Sequence, residues 1–330
     1  MIYKNITQHI ESRLGSKKAA IQFLSESLSI SENAAYKRAN GTTPYTLEEV
    51  VVIADSLAVS IDALLQSGNK SISFTIDALN KRDLSISNYL KRFITLAEKI
   101  SLSETHIYYA SNEFPLLQYF AFPRLNYFKF FMWSRTNWKQ DAAINTTFSF
   151  KDSLSQHQEF YYLSREIYQA YLNIPSTEFI CFNSLDNTIQ QIKYFVEIGA
   201  FSNKEEAVAL CDELEAFVVH LNNMAMSGKK FAPDGEWGTS SFFLYNNEII
   251  QSNNVCLVDS ANLSRLFITL DNPNTLETDN PGLIDYTRRW FETMKKFALP
   301  LGREVEKNRL IYFNKLKSYI DNLRHFVNAQ

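Results

Sequence analysis

Glycine, proline and cysteine are scarce in this sequence. Its 330 residues include only 9 glycines and 8 prolines, and the glycines do not cluster as a phosphate-binding loop requires. The three cysteines, Cys181, Cys211 and Cys256, are odd in number and far apart, so the sequence indicates neither a disulfide framework nor a paired zinc knuckle. Scarce glycine also favours helices over an architecture rich in tight turns.

Long apolar runs and an excess of one charge are also missing. No stretch approaches the roughly 18 to 20 apolar residues that cross a bilayer. Residues 1–14 have the pattern of an amphipathic helix interrupted by Lys4, His9, Glu11 and Arg13, so they lack the continuous apolar centre of a secretory signal. The formal net charge is -3, which gives no general attraction to nucleic acid or to an acidic membrane. We therefore expect a cytoplasmic protein without membrane contact, in which any binding of DNA depends on a local cluster of cations.

The residues that most often carry catalysis or hold metals are dispersed. No two histidines have the i, i+4 spacing that directs two imidazoles to one metal ion; they are His9, His106, His157, His220 and His325. The carboxylates fall mostly on predicted helix surfaces, although an acid–base pair assembled from distant segments stays open. We expect a protein that is not an enzyme and has no cofactor, catalytic residue or metal site.

Aromatic residues, in contrast, are abundant. The chain has 25 Phe, 17 Tyr and 4 Trp, and they are densest between Phe114 and Trp138, which predicts a buried core there. Apolar residues recur at helical spacing over most of the chain, whereas short apolar runs separated by Asn-rich turns indicate three strands near 241–270, forming a meander. The predicted fold is mainly α, with an N-terminal five-helix bundle and a larger α+β domain that has a small antiparallel sheet.

Composition also suggests where the domains divide. Residues 1–66 contain five predicted short helices, the fifth near 60–65, and Thr46 with Glu49 has the spacing of a capping box. Residues 67–71 are small and polar and form the predicted linker. Residues 72–330 are then an aromatic-rich, largely helical domain for effector binding or oligomerisation.

Residues 21–41 carry a further pattern. Leu24, Leu28 and Ile30 precede a short turn, and the small residue Ala35 follows where two helices would approach closely. With Gly41 and the segments that follow it, this pattern resembles the helix-turn-helix of phage repressors of the Cro type, over about residues 3–66. Three positions depart from the common pattern: Ser25 and Ser29 replace small residues, and Arg38 replaces an apolar one.

The resemblance implies a DNA-binding domain whose second motif helix is about 17–28 and whose recognition helix is about 31–40. The residues that it directs to base edges in the major groove are Glu32, Asn33, Tyr36, Lys37 and Asn40. The residues that it directs to the DNA backbone are Lys17, Lys18, Ser31, Arg38 and Thr43.

The rest of the chain resembles the long C-terminal part of a group of bacterial transcriptional regulators that begin with this motif. The shared features are residues 35–38 before the glycine, the aromatic stretch 114–133, residues 174–178, and Glu306 with Arg309. This resemblance implies a regulator of transcription that binds double-stranded DNA, without naming its signal. We expect a homodimer, because one recognition helix contacts few base pairs, and a small molecule or protein as effector of the C-terminal domain.

The charge of the first 66 residues leaves a second interpretation open. They contain six basic and seven acidic residues, which is a weak basis for attraction to DNA. The same exposed helix surface would suit a protein-interaction scaffold that uses the N-terminal bundle to bind a partner.

Overall fold

The structure is a computed structural model that describes residues 2–57, 59, 61, 64, 72–76, 85–100, 104–136, 146–248 and 254–330. The chain divides into two compact units, Met1–Phe74 and Thr75–Gln330. The predicted linker at 67–71 and most of the predicted fifth helix lie outside the described residues.

The N-terminal unit contains four described helices: α1 (Ile2–Leu14), α2 (Lys17–Ser27), α3 (Glu32–Ala39) and α4 (Leu47–Ser56). Local sequence explains each boundary. Gly15 adopts a positive φ of 79° after α1, and the Ser16 side chain accepts a hydrogen bond from the Ala19 N–H at the start of α2. The capping box predicted for Thr46 and Glu49 is confirmed at the start of α4.

A separate apolar core holds these helices together. Ile6 and Ile10 of α1, Leu24 of α2 and Ile53 of α4 are almost fully buried in one cluster. The i, i+4 spacing of Ile6 and Ile10 gives α1 one apolar face, as the sequence predicts. The N-terminal unit therefore has the core of an independent domain.

The larger unit is also mostly helical. Its described helices are α5 (Ile86–Lys99), α6 (Leu116–Tyr119), α7 (Pro123–Thr136), α8 (Phe150–Gln156), α9 (Gln158–Leu172), α10 (Asp186–Glu197), α11 (Lys204–Ser227), α12 (Pro281–Phe297) and α13 (Glu306–Ala329). The aromatic stretch that begins at Phe114 is buried, with Phe128 and Phe130 almost completely enclosed. This confirms the predicted aromatic core.

The sheet differs from the prediction. Nine strands fall within the residues that the structure describes: β1 (Thr75–Ile76), β2 (Thr105–Ala110), β3 (Ser176–Ile180), β4 (Lys229–Phe231), β5 (Trp237–Asn246), β6 (Val255–Ser260), β7 (Arg265–Asp271), β8 (Asn274–Thr278) and β9 (Leu299–Pro300). The strand order is β1-β8-β7-β6-β2-β3-β5-β4, and β9 also pairs with β5. Because β2, β3 and β5 run parallel, the sheet is mixed, and the expectation of a small antiparallel sheet is wrong.

The predicted meander is correspondingly only partly present. Strands β6, β7 and β8 are antiparallel neighbours, but β5 pairs with β3 and β4 instead of β6. Strand β3 crosses to its parallel neighbours through helical segments, which is the usual way to connect parallel strands.

Adjacent residues of the strands face two separate cores. On β6, for example, Leu257 packs in a cluster with Phe291 of α12, whereas Val258 packs in the cluster that contains α7, α11 and α13 residues. The period of two along each strand therefore divides the larger unit into three layers, with the sheet between helices.

Candidate nucleic-acid interface

Helices α2 and α3 are joined by a short turn. Helix α2 ends at Ser27 and α3 begins at Glu32, so the connection consists of residues 28–31. The two helices pack against each other, with Ala20 and Ala35 fully buried in the same core. Small residues at this position allow a close approach of the two helices, as the pattern in the sequence predicts.

Ser25 and Ser29 determine the conformation of this turn. Ser29 has a φ of 52°, in the left-handed region where glycine is favoured. The Ser25 hydroxyl donates a 2.7 Å hydrogen bond to the Ile30 carbonyl, and the Ser25 carbonyl accepts a 3.1 Å hydrogen bond from the Ile30 N–H. The serine that departs from the common pattern at position 25 therefore bridges both ends of the turn.

Helix α3 buries only small residues. Ala35 is fully buried and Ala39 nearly so, while Ala34, which the pattern also turns inward, is half-buried. All five residues predicted to reach base edges are exposed: Glu32, Asn33, Tyr36, Lys37 and Asn40. The Tyr36 side chain is 52% exposed. Within the described part of the chain, the Asn33, Tyr36 and Lys37 side chains make no hydrogen bond or ion pair.

Two predicted contact residues lie together at the end of α3. The Lys17 ammonium donates a 2.7 Å hydrogen bond to the Asn40 side-chain oxygen, although the two residues are far apart in sequence. Lys17 begins α2 and Asn40 follows the last residue of α3. This contact brings a predicted backbone-contact residue and a predicted base-contact residue to one exposed point.

The other residues predicted to contact the DNA backbone have different environments. Lys18 is exposed and pairs with no carboxylate among the residues that the structure describes. Thr43 is half-buried, and the Ser31 hydroxyl accepts a 3.3 Å hydrogen bond from the Ala34 N–H, which caps α3. Arg38 is turned towards α4.

Arg38 forms an ion pair with Glu49. Its Nε and Nη2 atoms lie 2.9 and 2.6 Å from the two carboxylate oxygens, and the side chains are only 16% and 15% exposed. The hydrogen bond from Arg38 lowers the pKa of Glu49, which burial would otherwise raise, and the same bond raises the pKa of Arg38. The Arg38 guanidinium is therefore engaged by a carboxylate of α4 within the N-terminal unit.

An exposed apolar strip on α4 was missed by the sequence analysis. The periodicity assigns Leu47 to the buried side of α4, but the Leu47 side chain is 71% exposed. Val51 is 38% exposed and lies four residues later, on the same side of the helix. Periodicity alone does not reveal that Leu47, the first residue of α4, is exposed.

Three further findings concern metal ligands, cysteines and membrane spans in the described residues. No group of three or more His, Cys, Asp or Glu side chains is close enough there to hold a metal ion. The three cysteines are free thiols. In the same ranges, no helix combines the length and apolarity that a membrane span requires.

Comparison with known proteins adds no relative. No family model, no curated protein and no solved structure matches this chain.

Proposed function

We propose that this chain is a sequence-specific DNA-binding regulator of transcription whose α3 enters the major groove. One observation carries the proposal. Helix α3 buries only small residues, and its exposed side has three long polar side chains, Asn33, Tyr36 and Lys37, without a partner in the described residues. A helix that reads base edges requires such an exposed face of hydrogen-bonding side chains.

The chemistry of these side chains suits base recognition. The Asn33 amide has a donor and an acceptor that match an adenine edge, and the Lys37 ammonium matches the two acceptors of a guanine. The exposed Lys17 and Lys18 at the start of α2 supply positive charge for phosphates. Glu32 excludes bases that present acceptors and accepts a hydrogen bond from cytosine, so its negative charge is compatible with recognition.

The experiment is selection of bound fragments from random or genomic DNA with the full chain, followed by titration of the selected site. We expect affinity for that site to fall steeply as salt rises, because cation–phosphate contacts release counterions. Asn33→Ala should cost about 1–3 kcal/mol on the selected site and relax preference at one base pair.

Gln22→Ala is a matched control, because Gln22 is an exposed amide on α2 that bonds to Glu26 at 2.9 Å. This substitution should leave DNA affinity unchanged. The proposal fails if no fragment is enriched, or if Asn33→Ala and Gln22→Ala have the same effect on affinity.

A second candidate function is protein binding by the N-terminal unit, and the exposed Leu47 and Val51 on α4 favour it. Exposed apolar side chains that lie together on one helix face can form part of a contact between chains. Sedimentation of the full chain and of the variant with Leu47→Ser and Val51→Ser tests this function. A loss of association without a loss of DNA retention in the monomer would assign the strip to self-association, which also fits a homodimeric regulator.

A further inference from the structure

The larger unit contains a small apolar cavity. It has a volume of about 120 Å³ and lies between α5, the aromatic segment that includes α6 and α7, and strands β6 to β8. Its walls are mainly apolar and aromatic, among them Phe93, Leu117, Trp133, Val258 and Phe267. A concave space with mostly apolar walls and a few polar groups is the usual form of a small-molecule site.

The volume limits what can enter. An engineered apolar cavity of about 150 Å³ holds one benzene molecule and stays dry without it. A cavity of about 120 Å³ is therefore suited to a single ring or a short alkyl chain, and it is too small for a nucleotide or a sugar phosphate.

A cleft with a different character adjoins the cavity. The cleft has a volume of about 440 Å³ and shares Tyr89, Phe93 and Phe267 with the walls of the cavity. Its other walls carry four cations, and they are Lys91, Arg92, Lys99 and Arg265. Among the residues that line it, the only carboxylate is that of Glu277.

Among the described residues, the ion pairs leave one cation of this cleft, Lys99, without a carboxylate partner. Glu277 is shared, because Arg92 lies 3.3 Å and Arg265 lies 3.5 Å from its carboxylate. Arg265 also contacts Asp279 at 3.1 Å, and Lys91 contacts Glu159 at 2.7 Å. Lys99 is exposed, and no carboxylate in the described ranges pairs with it. The cleft therefore offers a site for one more negative charge.

The inner wall of the cavity is polar at one place. Lys129 is fully buried there, with its ammonium 2.7 Å from the Gln191 side-chain oxygen and 3.6 Å from the Glu113 carboxylate. Burial lowers the pKa of Lys129 and Glu113 opposes this effect. Because this pair is already satisfied within the protein, it does not demand a charged ligand group at the inner end.

We propose that the cavity and the adjoining cleft form a binding site for a small amphipathic anion. Its apolar part, about the size of a phenyl ring, enters the cavity, and its carboxylate remains in the cleft near Lys99. Aryl- and short alkyl-carboxylic acids are the ligand class that meets both conditions.

The test uses the full chain and three probes that differ only in the polar group: 3-phenylpropanoate, 3-phenylpropan-1-ol and 3-phenylpropylamine. Calorimetric titration should give a Kd of about 1 mM or tighter for the carboxylate. The amine should bind at least about tenfold more weakly, and the alcohol should lie between them. Equal binding of all three probes, or no binding of the carboxylate, would overturn the proposal.

Two variants locate the site. Lys99→Glu should weaken 3-phenylpropanoate at least about fivefold, whereas Lys296→Glu, an equivalent reversal at an exposed lysine of α12, should not change its affinity. Leu117→Phe adds atoms to the cavity wall and should abolish binding. If Leu117→Phe fails to fold, the comparison of Lys99→Glu with Lys296→Glu still tests the site. Equal affinities of these two lysine variants for 3-phenylpropanoate would refute the assignment.

This inference extends the proposed function, since a bound ligand would be the signal of the larger unit, but the binding step does not depend on DNA. Failure of the titration removes the ligand site and leaves DNA selection unaffected. Failure of the DNA selection leaves the ligand site and removes only its role in transcription.

Discussion

Arg38 and Glu49 join α3 to α4 through two contacts, 2.9 and 2.6 Å long, between the guanidinium and both carboxylate oxygens. The same carboxylate accepts a 3.1 Å hydrogen bond from the Thr46 N–H, so one side chain both caps α4 and holds the exposed α3 in position. The pair also explains how a charged residue replaces the apolar one that the resemblance leads us to expect at position 38. An arginine can occupy such a half-buried position when its charged head has a partner, as Arg38 has in Glu49.

Removing one partner of this pair should destabilise the N-terminal unit. We expect Arg38→Met to lower its free energy of unfolding by about 1–2 kcal/mol, because Glu49 loses its counterion while still half-buried. Amide hydrogen exchange within residues 2–57 measures the change. The double variant Arg38→Met with Glu49→Gln keeps the cap and removes the unpaired charge, so it should recover part of the loss. A double variant less stable than Arg38→Met would contradict this explanation.

The pair should also make the N-terminal unit sensitive to acid. The hydrogen bond from Arg38 lowers the pKa of Glu49 in the folded protein, so folding favours the ionised carboxylate. The resulting stability is complete above the ordinary glutamate pKa of about 4.3 and is lost as the pH falls through the lowered value. Stability measured between neutral pH and pH of about 3 should therefore decline more in the natural chain than in Glu49→Gln. Parallel pH profiles would show that Glu49 does not contribute.

Replacing Ser29 in the turn between α2 and α3 by glycine should stabilise the N-terminal unit. Ser29 is exposed and has a φ of 52°, a conformation that costs a residue with a side chain about 1 kcal/mol relative to glycine. Ser29→Gly should raise the stability of the N-terminal unit by about 0.5–1 kcal/mol, which thermal or urea unfolding measures. Ser27→Gly, two residues earlier and still in α2, is the control and should not be stabilising. The reverse order of stabilities would show that the turn relaxes in solution.

The Lys37 ammonium can contact a guanine edge, as proposed above, or a phosphate, and one variant distinguishes the two contacts. Lys37→Ala should reduce the slope of log affinity against log salt by about 1 if Lys37 contacts a phosphate. A loss on one base pair with an unchanged slope would instead assign it to a guanine edge. Lys296→Ala removes an equal charge from the exposed surface of α12 and should change neither quantity. Identical behaviour of the two variants would remove Lys37 from the DNA surface.

The helices of the N-terminal unit were predictable because their signals are local. The Ser16, Ser31 and Thr46 caps lie within three residues of the N–H groups that they satisfy. The partner of Arg38 was not predictable, since nothing in the sequence around position 38 indicates that α4 returns to it.

The central strand of the sheet escaped prediction for a different reason. Residues 176–180 of β3 are buried on both faces, so they lack the alternation of a half-exposed strand. They also include Glu178, whose carboxylate accepts hydrogen bonds from Tyr171, Ser176 and Gln118 inside the core. In the sequence alone, a glutamate next to serine and threonine is typical of a polar turn. Only the structure reveals the three hydrogen-bond donors that allow Glu178 to be buried. The ligand cavity likewise depends on side chains from distant segments, and periodicity carries no such information.

The pairing of β1 with β8 has a consequence for biosynthesis. Thr75 lies opposite Glu277. During synthesis, β1 therefore emerges about two hundred residues before its partner β8. Pairings of such long range raise the contact order and slow folding, and unpaired strand edges stay open meanwhile. The contacts that α1 to α4 make with one another lie within 57 residues, so these helices can fold while the ribosome is still translating. We therefore expect the larger unit, rather than the N-terminal unit, to need chaperones for folding.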